Sequence, residues 1–175
     1  MKQPSEVARS ARAASRPSVG LPAKDMAQVR AIAATANVRK SSKHKALLFN
    51  GANATAAAEA MAKRLRRDLY RVDLHAVVSK YIGETEKNLG RVFAEAEAND
   101  AILFFDEADA LFGKRSNVKD THDRYSNLLV DYLLRRIEGY AGLVVFLSKP
   151  RTTLSMTLRR RLLIYDFPPA ARKLG

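Results

Sequence analysis

The chain of 175 residues carries 31 Lys and Arg against 18 Asp and Glu, a formal net charge of +13, with 47% hydrophobic residues and no cysteine. That length makes one domain with a substantial core. The lack of cysteine excludes disulfides and thiolate-metal sites and agrees with a cytoplasmic setting, and no apolar run reaches the length of a membrane span, so no membrane is expected as a partner.

The charge is segregated along the chain. Residues 1–45 hold 10 basic against 2 acidic side chains, residues 149–175 hold 7 against 1, and the middle is nearly neutral with 14 against 15. Basic ends of this kind can draw nucleic acid or an acidic partner, although they are more often solvated tails. Met1–Gly20 is rich in Ala, Arg, Ser and Pro and lacks the apolar block of a secretory signal; it faintly resembles an organellar transit peptide. It offers too little apolar surface to repay ordering, which predicts disorder. Leu21–Val38 reads as a helix with Met26, Val29, Ile32 and Ala33 on one face, and Arg39–Lys45 as a basic linker. Ala46–Phe49 is a first apolar strand, followed by the small-residue stretch Asn50–Ala60, and a helix placed over Ala58–Leu65 continues to about Arg67. Asp68–Asp73 reads as a second strand, and a helix starting at Glu84 turns Leu89, Val92, Phe93 and Ala96 inward. Beyond a basic loop within Leu111–Asp120 (Lys114, Arg115, Lys119), helical periodicity runs from Asp123 to about Glu138. Gly142–Leu147 is another unbroken apolar strand, and Leu162–Phe167 a last one, ended by Pro168-Pro169.

Ala101–Asp109, Ala-Ile-Leu-Phe-Phe-Asp-Glu-Ala-Asp, organises the rest. Ile102 to Phe105 do not alternate with polar residues, the pattern of a strand buried on both faces inside a parallel sheet. Asp106 and Glu107 follow where the strand ends, and in open α/β sheets that edge is where ligands bind. Successive strand residues point to opposite faces, so the two acids have different tasks: one can hold Mg²⁺ through water while the other polarises an attacking water. An apolar strand ending in Asp-Glu is common, and alone it divides evenly between a nucleotide site and an ordinary strand end.

The flanks decide the balance. Val72–Arg91 and Asp106–Arg124 closely resemble the AAA+ ATPases, and the resemblance extends with gaps from about Leu21 to Pro169. It is strongest to bacterial single-domain members, including those that accompany contractile injection systems. It implies an α/β domain over 21–169, a three-layer α-β-α P-loop NTPase-like fold with a five-stranded parallel sheet. Residues 1–20 would precede it as a basic segment and 170–175 would follow as a tail without the helical lid of the family. The cofactors implied are ATP and Mg²⁺. The role implied is ATP hydrolysis that drives remodelling of protein substrates, with partner AAA+ subunits in a homo- or hetero-oligomeric ring.

Residue by residue, the resemblance is partial. The family's phosphate loop, G-x-x-x-x-G-K-[ST], wraps phosphates with backbone N–H groups, reaches them with a lysine and ligates Mg²⁺ with a hydroxyl. One register makes Gly51 its first glycine and puts Ala57 and Ala58 at the Lys and Thr positions. The preferred register has a three-residue deletion, keeps Gly51 and Asn53 in the loop, puts Ala54 at the lysine position and leaves Thr55 as the Mg²⁺ hydroxyl. In both the lysine is missing. Hydrogen bonds to charged partners are worth about 1.5–3 kcal/mol, so losing two weakens nucleotide affinity or transition-state stabilisation by roughly 10² to 10⁴. Asp106 is then the second metal ligand and Glu107 the catalytic base. Lys80-Tyr81-Ile82-Gly83 matches the pore loop that grips substrate polypeptide, the alternative being that Tyr81 packs under a loop. Arg160 and Arg161 sit where the arginine finger reaches a neighbour's site. Ser148-Lys149-Pro150 replaces the sensor Asn, and Leu154-Ser155-Met156 lacks the usual acid. The expectation is an AAA+ core with impaired or absent ATPase activity. The alternatives are an active hydrolase whose phosphate contacts are rebuilt around Lys149, and a basic nucleic-acid-binding scaffold.

Overall fold

Strands without polar alternation must be covered on both faces, and the computed structural model, which describes residues 20–38, 46–112, 121–149 and 154–169, meets that demand with one parallel sheet between helices. Its strands are β1 (Ala46–Asn50), β2 (Leu69–Val72), β3 (Ile102–Phe105), β4 (Val144–Ser148) and β5 (Leu163–Asp166), in the order β2-β3-β4-β1-β5. Every pairing is parallel, with Asn50 opposite Ser148 and Phe105 opposite Phe146. All residues of β3 and β4 are buried, whereas edge strand β5 alternates between half-buried and exposed. The strand that ends in Asp106-Glu107 therefore lies beside the central one, near the middle of the sheet as its composition requires.

The helices are α1 (Ala23–Val38), α2 (Ala54–Leu65), α3 (Leu74–Val77), α4 (Ile82–Ala98), α5 (Asp109–Phe112), α6 (Thr121–Gly139) and α7 (Met156–Arg161). Alternate residues of β3 feed separate cores. Leu103 and Phe105 pack with Leu89 and Phe93 of α4 and Leu129 and Leu133 of α6. Ile102 and Phe104 pack with Val29 of α1 and Met61 of α2. In the first core Phe105 stacks on Phe146 (centroids 5.1 Å apart) and Phe93 meets Tyr140 edge-on at 5.2 Å. The Tyr140 hydroxyl donates to the Ala101 carbonyl (3.1 Å), and burial, reinforced by the Glu97 carboxylate, pushes its pKa up to about 12. Burial and the hydrogen bond to Glu95 raise Tyr70 in the same direction.

One boundary differs instructively from its expectation. The helix placed over Ala58–Leu65 begins at Ala54, because Ala-Thr-Ala-Ala-Ala carries strong helix formers right up to the loop. Only Gly51–Asn53 then separates β1 from α2. The predicted linker 39–45, the basic loop with Lys114, Arg115 and Lys119, Pro150 and the 170–175 tail lie outside the described residues, and of the first twenty residues only Gly20 is described.

Phe105→Ala should lower the unfolding free energy by ~3–5 kcal/mol in urea denaturation, whereas Leu128→Ala, at a position 53% exposed, should change it by no more than ~0.5 kcal/mol. Folding favours the neutral Tyr140 phenol, so its contribution is complete below pH 10.0 and is lost as pH rises through about 12. Denaturation curves across that window should show stability falling with pH, with a shallower fall in Tyr140→Phe.

Candidate functional site

Parallel strands finish on the same edge, so the residues just past β1, β3 and β4 meet there. After β3 the chain turns sharply. Asp106 Oδ1 accepts the Glu107 N–H (2.8 Å), Glu107 adopts a left-handed backbone with φ of 54°, and the Ala108 N–H returns to the Leu147 carbonyl of β4 (2.8 Å). A non-glycine residue at positive φ costs on the order of 1–3 kcal/mol. Here the turn buries Ala108 completely and leaves both carboxylates exposed.

The turn after β1 is held just as firmly. Gly51 has φ of 107°, and a Cβ there would stand 2.3 Å from the Phe167 carbonyl oxygen, so only glycine fits. Asn53 does not face the cleft: its backbone N–H donates to the Phe167 carbonyl (3.1 Å), while Nδ2 donates to Asp25 Oδ2 (3.0 Å) and the Pro168 carbonyl (2.9 Å). Asp25 is a buried acid, 4% exposed, in the first turn of α1. Asn50 accepts from Ser148 Oγ (2.8 Å) and donates to Asp166 Oδ1 (3.0 Å), which ties the ends of β4, β1 and β5 together.

Between these turns lies a cleft of ≈ 330 Å³ whose walls include Gly51, Thr55, Asp106, Glu107, Asp109 and Lys149. Five residues singled out in the sequence, far apart in the chain, are thus brought together. Ala57 and Ala58 are fully buried under the sheet, so the register that gives them phosphate-facing roles points them away from the cleft. Ala54 and Thr55 open α2 and line it. Asp109 is the residue that sequence reasoning passed over, although it closes the same acidic run; its Oδ1 is buried without a hydrogen-bond partner.

Other expected residues lie elsewhere. Tyr81 precedes α4 and is 73% exposed, which rules out its packing under a loop. The cause is local: Thr85, completely buried, accepts the Ser79 N–H (2.8 Å), and the turn this closes throws Tyr81 outward. Lys80 and Gly83 are exposed too, and the Ile82 side chain lies outside the described residues. Arg160 and Arg161 end α7, both exposed, and Arg161 pairs with Glu138 at the end of α6. None of these lines the cleft.

Among the described residues no three His, Cys, Asp or Glu gather closely enough to cage a metal. Mg²⁺ needs no such cage, being held by one or two oxygens of the protein with phosphates and water. The Thr55 hydroxyl, the Asp106 carboxylate and the unpartnered Asp109 oxygen are a donor set of that kind.

The sequence model of the ATPase family associated with various cellular activities (AAA) matches residues 50–166, a span that holds every residue of the cleft. This chain belongs to the AAA family. Similar curated proteins include an uncharacterized AAA family ATPase, y4kL, of Sinorhizobium fredii, 32% identical over 128 residues, which are 69% of this AAA chain and 38% of that protein. The peroxisomal ATPase PEX6 of Pichia angusta is 33% identical over 104 residues, 57% of this chain and 9% of its own length. The ATPase family gene 2 protein of Schizosaccharomyces pombe is 35% identical over 94 residues, 53% of this chain and 11% of that protein. The AAA chain described here therefore spans well under half of each of these relatives.

The loop geometry predicts that Gly51→Ala lowers stability by about 1–3 kcal/mol. Gly83→Ala, whose added methyl meets nothing within 4 Å in helix α4, should be neutral or gain about 0.5–1 kcal/mol. Thermal melts of the two variants side by side check both.

Proposed function

We propose that the cleft binds Mg²⁺·ATP, that the chain is the core domain (21–169) of an AAA ATPase, and that its hydrolysis is impaired. The observation that carries the reading is the meeting of the Gly51–Thr55 turn with Asp106 and Glu107 across the end of β4. Bound Mg²⁺ supplies charge neutralisation to the phosphates. Thr55 and Asp106 would hold it, directly or through water. Glu107, lifted into the cleft by its left-handed backbone, polarises the attacking water.

Impairment follows from what the loop no longer offers. Ala54 stands at the first helical position, where the family carries its lysine. The Asn53 N–H is bonded to Phe167 and the Ala54 N–H to the Gly51 carbonyl (3.2 Å), so two donors at the turn are committed within the protein. At about 1.5–3 kcal/mol for each charge-assisted contact, the deficit in affinity or rate is roughly 10² to 10⁴.

The exposed Tyr81, with Lys80 and Gly83 beside it, supports a role for Lys80–Gly83 in gripping a protein substrate. Arg160, exposed at the end of α7, would reach a neighbouring subunit, while Arg161 is held by Glu138 of its own chain. The partners proposed are accordingly protein substrates and other AAA subunits in a ring, in a cytoplasmic setting.

A calorimetric titration with Mg²⁺·ATP, paired with a turnover assay, tests this. Weak binding is expected, with hydrolysis roughly 10²-fold or more below that of an AAA ATPase with an intact phosphate loop assayed alongside. Turnover equal to that control, abolished by Glu107→Gln, would show an active hydrolase instead.

A further inference from the structure

We infer that Lys149 supplies the phosphate contact that the loop lacks, from the centre of the sheet instead of from the start of α2. The inference rests on the reading of the cleft as an impaired nucleotide site and names the group that carries the affinity left to it. The charges on its walls state the difficulty: among the described residues, Asp106, Glu107 and Asp109 share the cleft with one cation, Lys149. A polyphosphate entering there meets three carboxylates, which the Lys149 ammonium helps bound Mg²⁺ to offset.

Position qualifies Lys149 for the task. Ser148 pairs with Asn50 in the ladder, so Lys149 is the first residue past the strand, between the Gly51–Thr55 turn on one side and the Asp106–Glu107 turn on the other. Adjacent strands are ~4.8 Å apart, which places both turns one strand away. Its root is fixed: Ser148, 7% exposed, spans Asn50 Oδ1 (2.8 Å) and the Lys149 carbonyl (3.2 Å) through its hydroxyl. Its side chain is exposed, and a lysine stem carries a point charge that can meet phosphate from several directions. No other basic side chain among the described residues lines the cleft. Lys63, which has the same charge, lies in the last turn of α2, at the far end of that helix.

The full chain is titrated with Mg²⁺·ATP and, separately, with Mg²⁺ and inorganic tripolyphosphate, as wild type, Lys149→Ala, Lys149→Gln, Lys149→Arg and Lys63→Ala. The expected result is a loss of about tenfold to hundredfold for Lys149→Ala with both probes, most of the affinity kept by Lys149→Arg, and less than a twofold change for Lys63→Ala. Lys149→Gln keeps most of the stem without its charge and should match Lys149→Ala, which guards against a packing effect, and thermal melts confirm that each variant folds. Equal small losses for Lys149→Ala and Lys63→Ala, with measurable binding by the wild type, would overturn the inference alone by showing only a general positive field. A loss with ATP and none with tripolyphosphate would also overturn it, by moving the contact to the nucleoside. Failure of the wild type to bind either probe would overturn the nucleotide reading and this inference together.

Discussion

The cleft depends on β4 having a parallel partner on each side. Because β1 and β3 both run with it, three chain ends emerge on one edge, and the hydrogen-bond ladder sets how far each protrudes. Asn50 is level with Ser148, and Asp106 follows the residue paired with Phe146, so a slip of one residue in either pairing would turn alternate side chains to the wrong face. Complete burial of β3 and β4 enforces the register, since each of their apolar side chains already has a place in one of two cores.

On that rigid edge the protein holds two backbone conformations that a surface loop would abandon. Gly51 at positive φ is pressed against Phe167, and Glu107 keeps a left-handed turn despite its side chain. Both persist because hydrogen bonds surround them: Asp106 caps the Glu107 amide, and Asn53 fastens the first turn to Asp25 and Pro168. The same bonds have a chemical consequence. A turn that satisfies its own N–H groups needs no ligand to keep its shape, and it has fewer donors to give one.

The residues outside the cleft divide into two exposed groups with different supports. Tyr81 is presented by a turn whose anchor is the buried Thr85, so its exposure is a property of the fold around α4. The arginines of α7 end a short helix capped by Ser155, and the pairing of Arg161 with Glu138 joins that helix to α6. Two neighbouring arginines that look equivalent in sequence thus differ in what already engages them.

Much could be read from the chain because the signals are local. Unbroken apolar runs such as Ile102–Phe105 suit the inside of a covered parallel sheet, which pointed to the fold class, and Asp106-Glu107 directly after such a run marked the edge where the cleft lies. The match of Lys80-Tyr81-Ile82-Gly83 to a loop that grips polypeptide likewise pointed to an exposed Tyr81. What local signals left open was settled by contacts between distant residues. Asn53 meets Asp25 across 28 positions and Ser148 meets Asn50 across 98, so no periodicity announces either. The start of α2 was placed too late for the same reason: a run of alanines is compatible with several helix starts, and only packing under the sheet turned Ala57 and Ala58 inward and left Ala54 and Thr55 at the cleft. Composition and period describe a residue's own segment. Where two segments meet is decided by strand order and register, which exist only once the chain has folded.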